Sequence, residues 1–115
     1  MASTFKNQGL DVGVLDDATG NMYTAGGSVY AVVHALYISN KSSTNAAKVN
    51  VKVTTDGGST FFHVGRSLDV PANNTLVLDK PINLEPNDIL RVYADANPDS
   101  SSVDVEAYAS ILEIS

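Results

Sequence analysis

The sequence predicts an all-β domain, an antiparallel sandwich of two sheets in jelly-roll or immunoglobulin-like order with an extended N-terminal arm. Three observations lead there. Apolar residues alternate with polar ones over short runs, which is the period-two signature of a half-buried strand. Gly, Pro, Asn and Asp clusters recur at intervals of roughly ten residues and divide the chain into about seven or eight such runs. The apolar runs are rich in β-branched and aromatic side chains, which lose rotamer freedom in a helix and pack well on a pleated surface.

The clearest strand is 46–55, where Ala47, Val49, Val51 and Val53 alternate with Lys48, Asn50 and Lys52. It leads into Asp56-Gly57-Gly58-Ser59 and then Thr60-Phe61-Phe62-His63-Val64, a β-hairpin whose glycines tolerate positive φ. Upstream, Ser28 to Asn40 carries apolar side chains on both phases and reads as a long strand with both faces covered. Val33, Leu36 and Tyr37 also fit helical spacing, the competing reading. Downstream come Leu68-Asp69-Val70, a turn at Pro71-Ala72-Asn73-Asn74, and Thr75-Leu76-Val77-Leu78. The segment 80–88 holds Pro81 and Pro86, which bar it from a central strand position, so it is expected to cross between sheets. Strands at 89–94 and 103–114 flank a polar loop at 95–102. In the last strand the apolar weight moves from Val103, Val105, Ala107, Ala109 and Ile111 to Leu112 and Ile114, predicting a bulge or edge exchange near Ser110.

Residues 1–27 differ from the body at 28–115. Leu10, Val12 and Val14 alternate but are interrupted by Asp16-Asp17-Ala18-Thr19-Gly20-Asn21 and by Gly26-Gly27, giving either an arm that docks on a neighbouring subunit or a short edge strand of the domain itself, followed by a short strand at Met22-Tyr23-Thr24. In the arm reading, Phe5, Leu10, Val12 and Val14 are the attachment residues, because an exposed apolar strand must be covered. Deleting residues 1–14 is then expected to weaken assembly more than folding.

Composition narrows the function. Thirteen acidic and seven basic residues give a net charge of −6, which repels a phosphate backbone, so nucleic acid is not an expected partner. No apolar run approaches the ~20 residues of a membrane helix, and the opening six residues lack the apolar stretch of a signal peptide, so no membrane association is expected. With no cysteine, stability comes from packing, sheet pairing or subunit contacts, and the absence fits folding in a reducing cytoplasm.

Catalytic and metal chemistry find little support. His34 and His63 lie singly within apolar strands, which favours structural roles. The serines fall in turn clusters such as 42–44 and 100–102 without a nucleophile motif. The acids are scattered, and with no tryptophan to line a sugar cleft a glycosidase pair is not expected. Asp16-Asp17 with Asn21, and Asp95 with Asn97 and Asp99, are oxygen-rich loops better explained by turn chemistry than by calcium. The glycine pairs lack a phosphate-loop signature. Asn40-Lys41-Ser42 and Asn73-Asn74-Thr75 match the glycosylation pattern by coincidence. No catalytic, cofactor or metal residue is assigned, and the chain is expected not to be an enzyme.

Five stretches carry a resemblance to a known group: Ala31-Val32-Val33-His34-Ala35-Leu36-Tyr37-Ile38-Ser39-Asn40, the valine strand, Leu68 to Leu78, Leu84-Glu85-Pro86-Asn87-Asp88-Ile89-Leu90-Arg91-Val92, and Ala109-Ser110-Ile111-Leu112-Glu113-Ile114. Over residues 28 to 114 the chain resembles small β-sandwich virion structural proteins of tailed, especially marine, bacteriophages. The resemblance implies a non-enzymatic role in a virion assembled in the host cytoplasm. Its foremost form is a capsid decoration or cement protein bound to the major capsid protein as a homo-oligomer such as a trimer. A neck or tail component, or a receptor- or glycan-binding module using loops 42–45 and 97–101, is the alternative.

Overall fold

Cross-strand pairing converts the alternating runs into two sheets. The computed structural model describes residues 3–12, 20–96 and 104–115, and nine strands lie among them. They are β1 (Ser3–Asp11), β2 (Asn21–Thr24), β3 (Tyr30–Asn40), β4 (Ala47–Thr54), β5 (Phe61–Val70), β6 (Asn74–Leu78), β7 (Ile82–Leu84), β8 (Ile89–Ala96) and β9 (Val105–Ile114). The first sheet runs β1-β9-β3-β6, with β7 beside the other half of β3; the second runs β2-β8-β4-β5. All pairs are antiparallel. The chain alternates between sheets at every step except the β4–β5 hairpin and the β6–β7 continuation. Counting β6 and β7 as one interrupted strand, this is the eight-strand, double Greek-key order of a jelly roll. The topology thus selects the jelly roll over the immunoglobulin-like order.

The sandwich closes on aliphatic side chains. Val33, Leu36 and Ile38 of β3, Val49 and Val51 of β4, and Ile111 of β9 are fully buried between the sheets. Removing one such side chain from water is worth about 1.5–3 kcal/mol, so these few positions dominate the stability of the sandwich.

Several expectations are revised. β3 is a strand, excluding the helix, but only its inner face is packed by this chain: Tyr30, His34 and Tyr37 are exposed. The irregularity expected near Ser110 lies across from it, on β3. Val33 pairs with Ile111 and Ala35 with Ser110, leaving His34 as the extra, bulged residue. β9 keeps its phase, so Leu112 and Ile114 belong to the outward row with Tyr108. Asn50 is buried rather than wet, because its Oδ1 accepts the Ser67 N–H at 2.9 Å where β5 bulges over it. Phe61 to Val70 is one strand carrying two register shifts. Segment 80–88 contributes the short β7 at the sheet edge before crossing, as its flanking prolines require.

The N-terminal segment takes the edge-strand form. β1 pairs in unbroken register with β9 over nine residues, from Ser3↔Ile114 to Asp11↔Glu106, and Val12 enters the core. The sandwich therefore begins at Ser3 rather than at residue 28.

Turns are fixed by side-chain acceptors. Asp56 Oδ1 accepts the Ser59 and Thr60 N–H groups at 3.0 and 2.9 Å, and Gly57 and Gly58 take φ of 79° and 117°. The Thr60 backbone N–H, followed by its hydroxyl, holds the Asp56 carboxyl below the usual carboxylate range. Buried Asp88 joins this hairpin to the next turn, accepting the Gly57 N–H at 3.2 Å and the Glu85 N–H at 2.9 Å.

At one end of the sandwich the Tyr23 hydroxyl of β2 donates to the Glu113 carboxylate of β9, which also faces Lys6 Nζ at 3.6 Å. Burial, then the Glu113 hydrogen bond and charge, raise the Tyr23 pKa above its ordinary value of 10.0. The folded state therefore holds this proton more tightly than the unfolded chain. The contribution is complete below pH 10 and fades as pH rises beyond it. Tyr23→Phe is expected to lower stability by about 1 kcal/mol at neutral pH and to remove this component of alkaline destabilisation. Urea midpoints compared between pH 7 and 11 check both, and parallel curves for the two proteins would refute the assignment.

Candidate interaction surface

An antiparallel register places directly opposed residues on one face of the sheet, so the pairings define the outer face of the first sheet. Across β1, β9 and β3 the outward rows are Ser3, Ile114 and Tyr30; Phe5, Leu112 and Val32; Asn7, Ser110 and Ala35; Gly9, Tyr108 and Tyr37; and Asp11, Glu106 and Ser39. β6 extends the fourth row with Val77 and the fifth with Thr75. Tyr37 and Tyr108 stand directly opposite, ring centroids 6.1 Å apart and planes inclined by 50°.

Five of the large hydrophobic side chains most exposed to solvent lie on this face: Phe5 (81%), Tyr30 (55%), Tyr108 (47%), Val77 (45%) and Tyr37 (39%). Its first four rows contain no Asp, Glu, Lys or Arg. The fifth row carries the charge, where Glu106 pairs with Lys41 at 3.5 Å and Asp11 lies alongside. Rows about 6.8 Å apart on strands about 4.8 Å apart make an uncharged area of roughly 400 Å², in which Asn7 and Ser110 separate the apolar second row from the tyrosine row. On a chain of net charge −6, this concentration of uncharged rings sets the face apart.

The face is not flat. One shallow hollow is lined by Phe5, Lys6, Asn7, Tyr108 and Ser110, and another by Gly9, Tyr37, Ser39, Glu106 and Tyr108. A Cβ built on Gly9 meets nothing within 4 Å, so the missing side chain leaves an open recess beside Tyr108. Tyrosines flanking shallow recesses supply rigid contact area at small entropic cost and a hydroxyl for the wet rim, the usual chemistry of a protein-binding surface.

The outer face of the second sheet differs. Lys52 Nζ lies 5.4 Å from the Phe61 ring centroid and 5.5 Å from that of Tyr93. The Arg91 guanidinium stacks 4.1 Å from Phe61, and its Nε donates to Asn21 Oδ1 at 2.8 Å. Here Phe61 and Tyr93 have cations of the same chain against them, while Phe62 of β5 stays 54% exposed.

Of the attachment residues expected from the sequence, Phe5 is on the apolar face and almost fully exposed, whereas Leu10 points inward and packs against the core. Val12 is completely buried and has no surface to offer; its alternation with Leu10 reflects the sandwich interior. Val14 lies outside the described residues, as do Asp16, Asp17, Asn97 and Asp99 of the oxygen-rich loops and the loop at 97–101. Removing residues 1–14 would take away a whole edge strand and a core valine, so that truncation tests the fold rather than an arm. Tyr30, Tyr37 and Tyr108 are the residues that sequence reasoning missed. Their signal was the apolar character of both phases of 28–40, together with Leu112 and Ile114 on the wet phase of β9.

His34 and His63 are both exposed, and among the described residues no group of three or more His, Asp or Glu side chains is placed to hold a metal ion. Loop 42–45 is a structural knot: Ser42 is buried, and its Oγ accepts the Thr44 and Asn45 N–H groups at 3.4 and 3.1 Å. The Asn40 amide is likewise buried. Among the described residues, no helix is long and apolar enough to cross a membrane.

No protein-family model matches the chain, and no curated protein matches it. Among solved structures, a chain in the structure of infectious bursal disease virus, Gt strain, is similar at a TM-score of 0.43 and 11% identity. The match covers 99% of this chain and 31% of that one, so this chain spans less than a third of that chain's length.

Proposed function

We propose that the chain is a non-enzymatic structural protein of a virus particle. In its finer form, it is a decoration or cement subunit that lies on the major capsid protein through the outer face of the first sheet. The observation that carries the docking is the uncharged face bearing Phe5, Tyr30, Tyr37 and Tyr108 on an otherwise acidic domain. Desolvating such a face needs no charged partner, and tyrosine-rich patches are where binding energy concentrates. The resemblance of residues 28–114 to virion proteins of tailed bacteriophages supports a particle as the setting. There, modest interfaces act together, because many symmetry-related copies bind one shell.

Quantitative mass spectrometry of purified particles tests the role. A decoration protein is expected in a copy number comparable to that of the major capsid protein. About six or twelve copies per particle, the count of a ring at a single vertex, would reject shell decoration in favour of a neck or tail component. Absence from purified particles would reject the virion role altogether.

A further inference from the structure

Edge strands expose unpaired backbone N–H and C=O groups, and folded domains usually blunt them. Three of the four edge positions here are blunted. β2 has four residues and a register shift; β5 is interrupted by two register shifts and by Ser67 at φ 50°; and the β6–β7 edge is broken into five and three residues, with Pro81 before β7. β1 is the exception. Its nine residues run in regular register against β9, and among the described residues nothing pairs with its outer edge.

We propose that this edge pairs with β1 of a second copy, antiparallel across a two-fold axis through Asn7, joining two first sheets into one. The proposal concerns the β1 edge together with Phe5 and Gly9 at the margin of the outer face, and does not depend on the virion reading. Three features select the second copy and this register. Asn7 is the midpoint of Ser3–Asp11, so only this register pairs all nine residues. It sets Lys6 against the partner's Gln8 and Asp11 against the partner's Ser3, so no like charges meet although each chain carries −6. It also sets Phe5, 81% exposed, over the partner's Gly9, where the open recess beside Tyr108 receives the ring. An aromatic ring laid across a strand glycine is an established cross-strand pairing.

Neighbouring registers lose these features. A shift by one residue turns the partner's core to the opposite side of the sheet. A two-fold at Lys6 opposes two ammonium groups, and one at Gln8 lays Phe5 against Asp11.

Sedimentation equilibrium of the full chain tests the seam. The wild-type chain is expected to be a dimer. Asn7→Lys and Asn7→Glu place like charges on the axis without touching the core, and each is expected to weaken the dimer at least tenfold. Mixing the two variants is expected to restore a heterodimer. Gly9→Val fills the recess and is expected to dissociate the dimer while leaving the thermal midpoint, compared at a concentration low enough that the wild type is also monomeric, unchanged or higher, since the monomer has room for it. A wild-type chain that stays monomeric up to about 1 mM, a trimeric mass, or a mixture that fails to reassociate would overturn the proposal. Loss of particle binding by a chain that still dimerises would count against the virion reading and leave this one standing.

Discussion

Asn40→Ala is expected to lower the stability of the domain by about 3 kcal/mol, a large part of the 5–15 kcal/mol typical of a folded domain. Asn40 ends β3 with its side chain 2% exposed. Its Nδ2 donates to the backbone carbonyls of Asn45 and Val70 at 2.9 and 3.0 Å, and its Oδ1 accepts the Ser42 N–H at 3.0 Å. One amide thus ties the end of the first sheet to the end of β5 in the second and to the 42–45 loop. Alanine leaves the Ser42 donor and the Val70 acceptor buried without those partners, at about 1–3 kcal/mol each, whereas an exposed amide would cost little. Asn40→Asp is expected to be at least as damaging at neutral pH, because a carboxylate oxygen then faces two carbonyl oxygens. The loss should ease as acid protonates it. Urea unfolding followed by circular dichroism measures both, and an unchanged midpoint for Asn40→Ala would refute the role.

Tyr37→Ser combined with Tyr108→Ser is expected to abolish binding to the particle while leaving the fold nearly intact. The two rings contact each other on the outer face, away from the core, and stay 39% and 47% exposed, so their joint loss should cost the fold only about 1–2 kcal/mol. A tyrosine at the centre of an interface is worth about 2 kcal/mol or more, so each replacement should weaken binding roughly thirtyfold. The double variant should lose less than the product, because neighbouring rings share partners. Co-sedimentation with particles stripped of the native protein reads the effect. Binding within a factor of three of wild type, by a double variant with an unchanged melting profile, would remove this face from consideration.

Much of the fold is legible residue by residue. The alternation of Ala47, Val49, Val51 and Val53 places them on the inner phase. Asp56-Gly57-Gly58-Ser59 marks the hairpin because two positive φ values need glycine and the aspartate caps the turn. Pro81 and Pro86 confine β7 to three residues at an edge. Each of these is a local matter of backbone sterics and side-chain period, and local sequence is sufficient for it. The candidate surface was half legible: apolar residues on both phases of β3, with Leu112 and Ile114 on the wet phase of β9, showed that more surface was apolar than one sandwich interior needs. Taken along a single strand, the same excess reads equally well as a second buried face or a bulge.

From sequence alone, the class of fold, most strand positions within 28–114 and the absence of cysteine chemistry were determined. The tertiary structure decided the rest: jelly-roll order, the bulge at His34 rather than at Ser110, the incorporation of residues 3–11 as a strand, and the meeting of Tyr37 with Tyr108. The reason is physical. Strand phase follows from neighbours along the chain, but register and partner choice are set by the sum of many weak contacts between segments far apart in sequence.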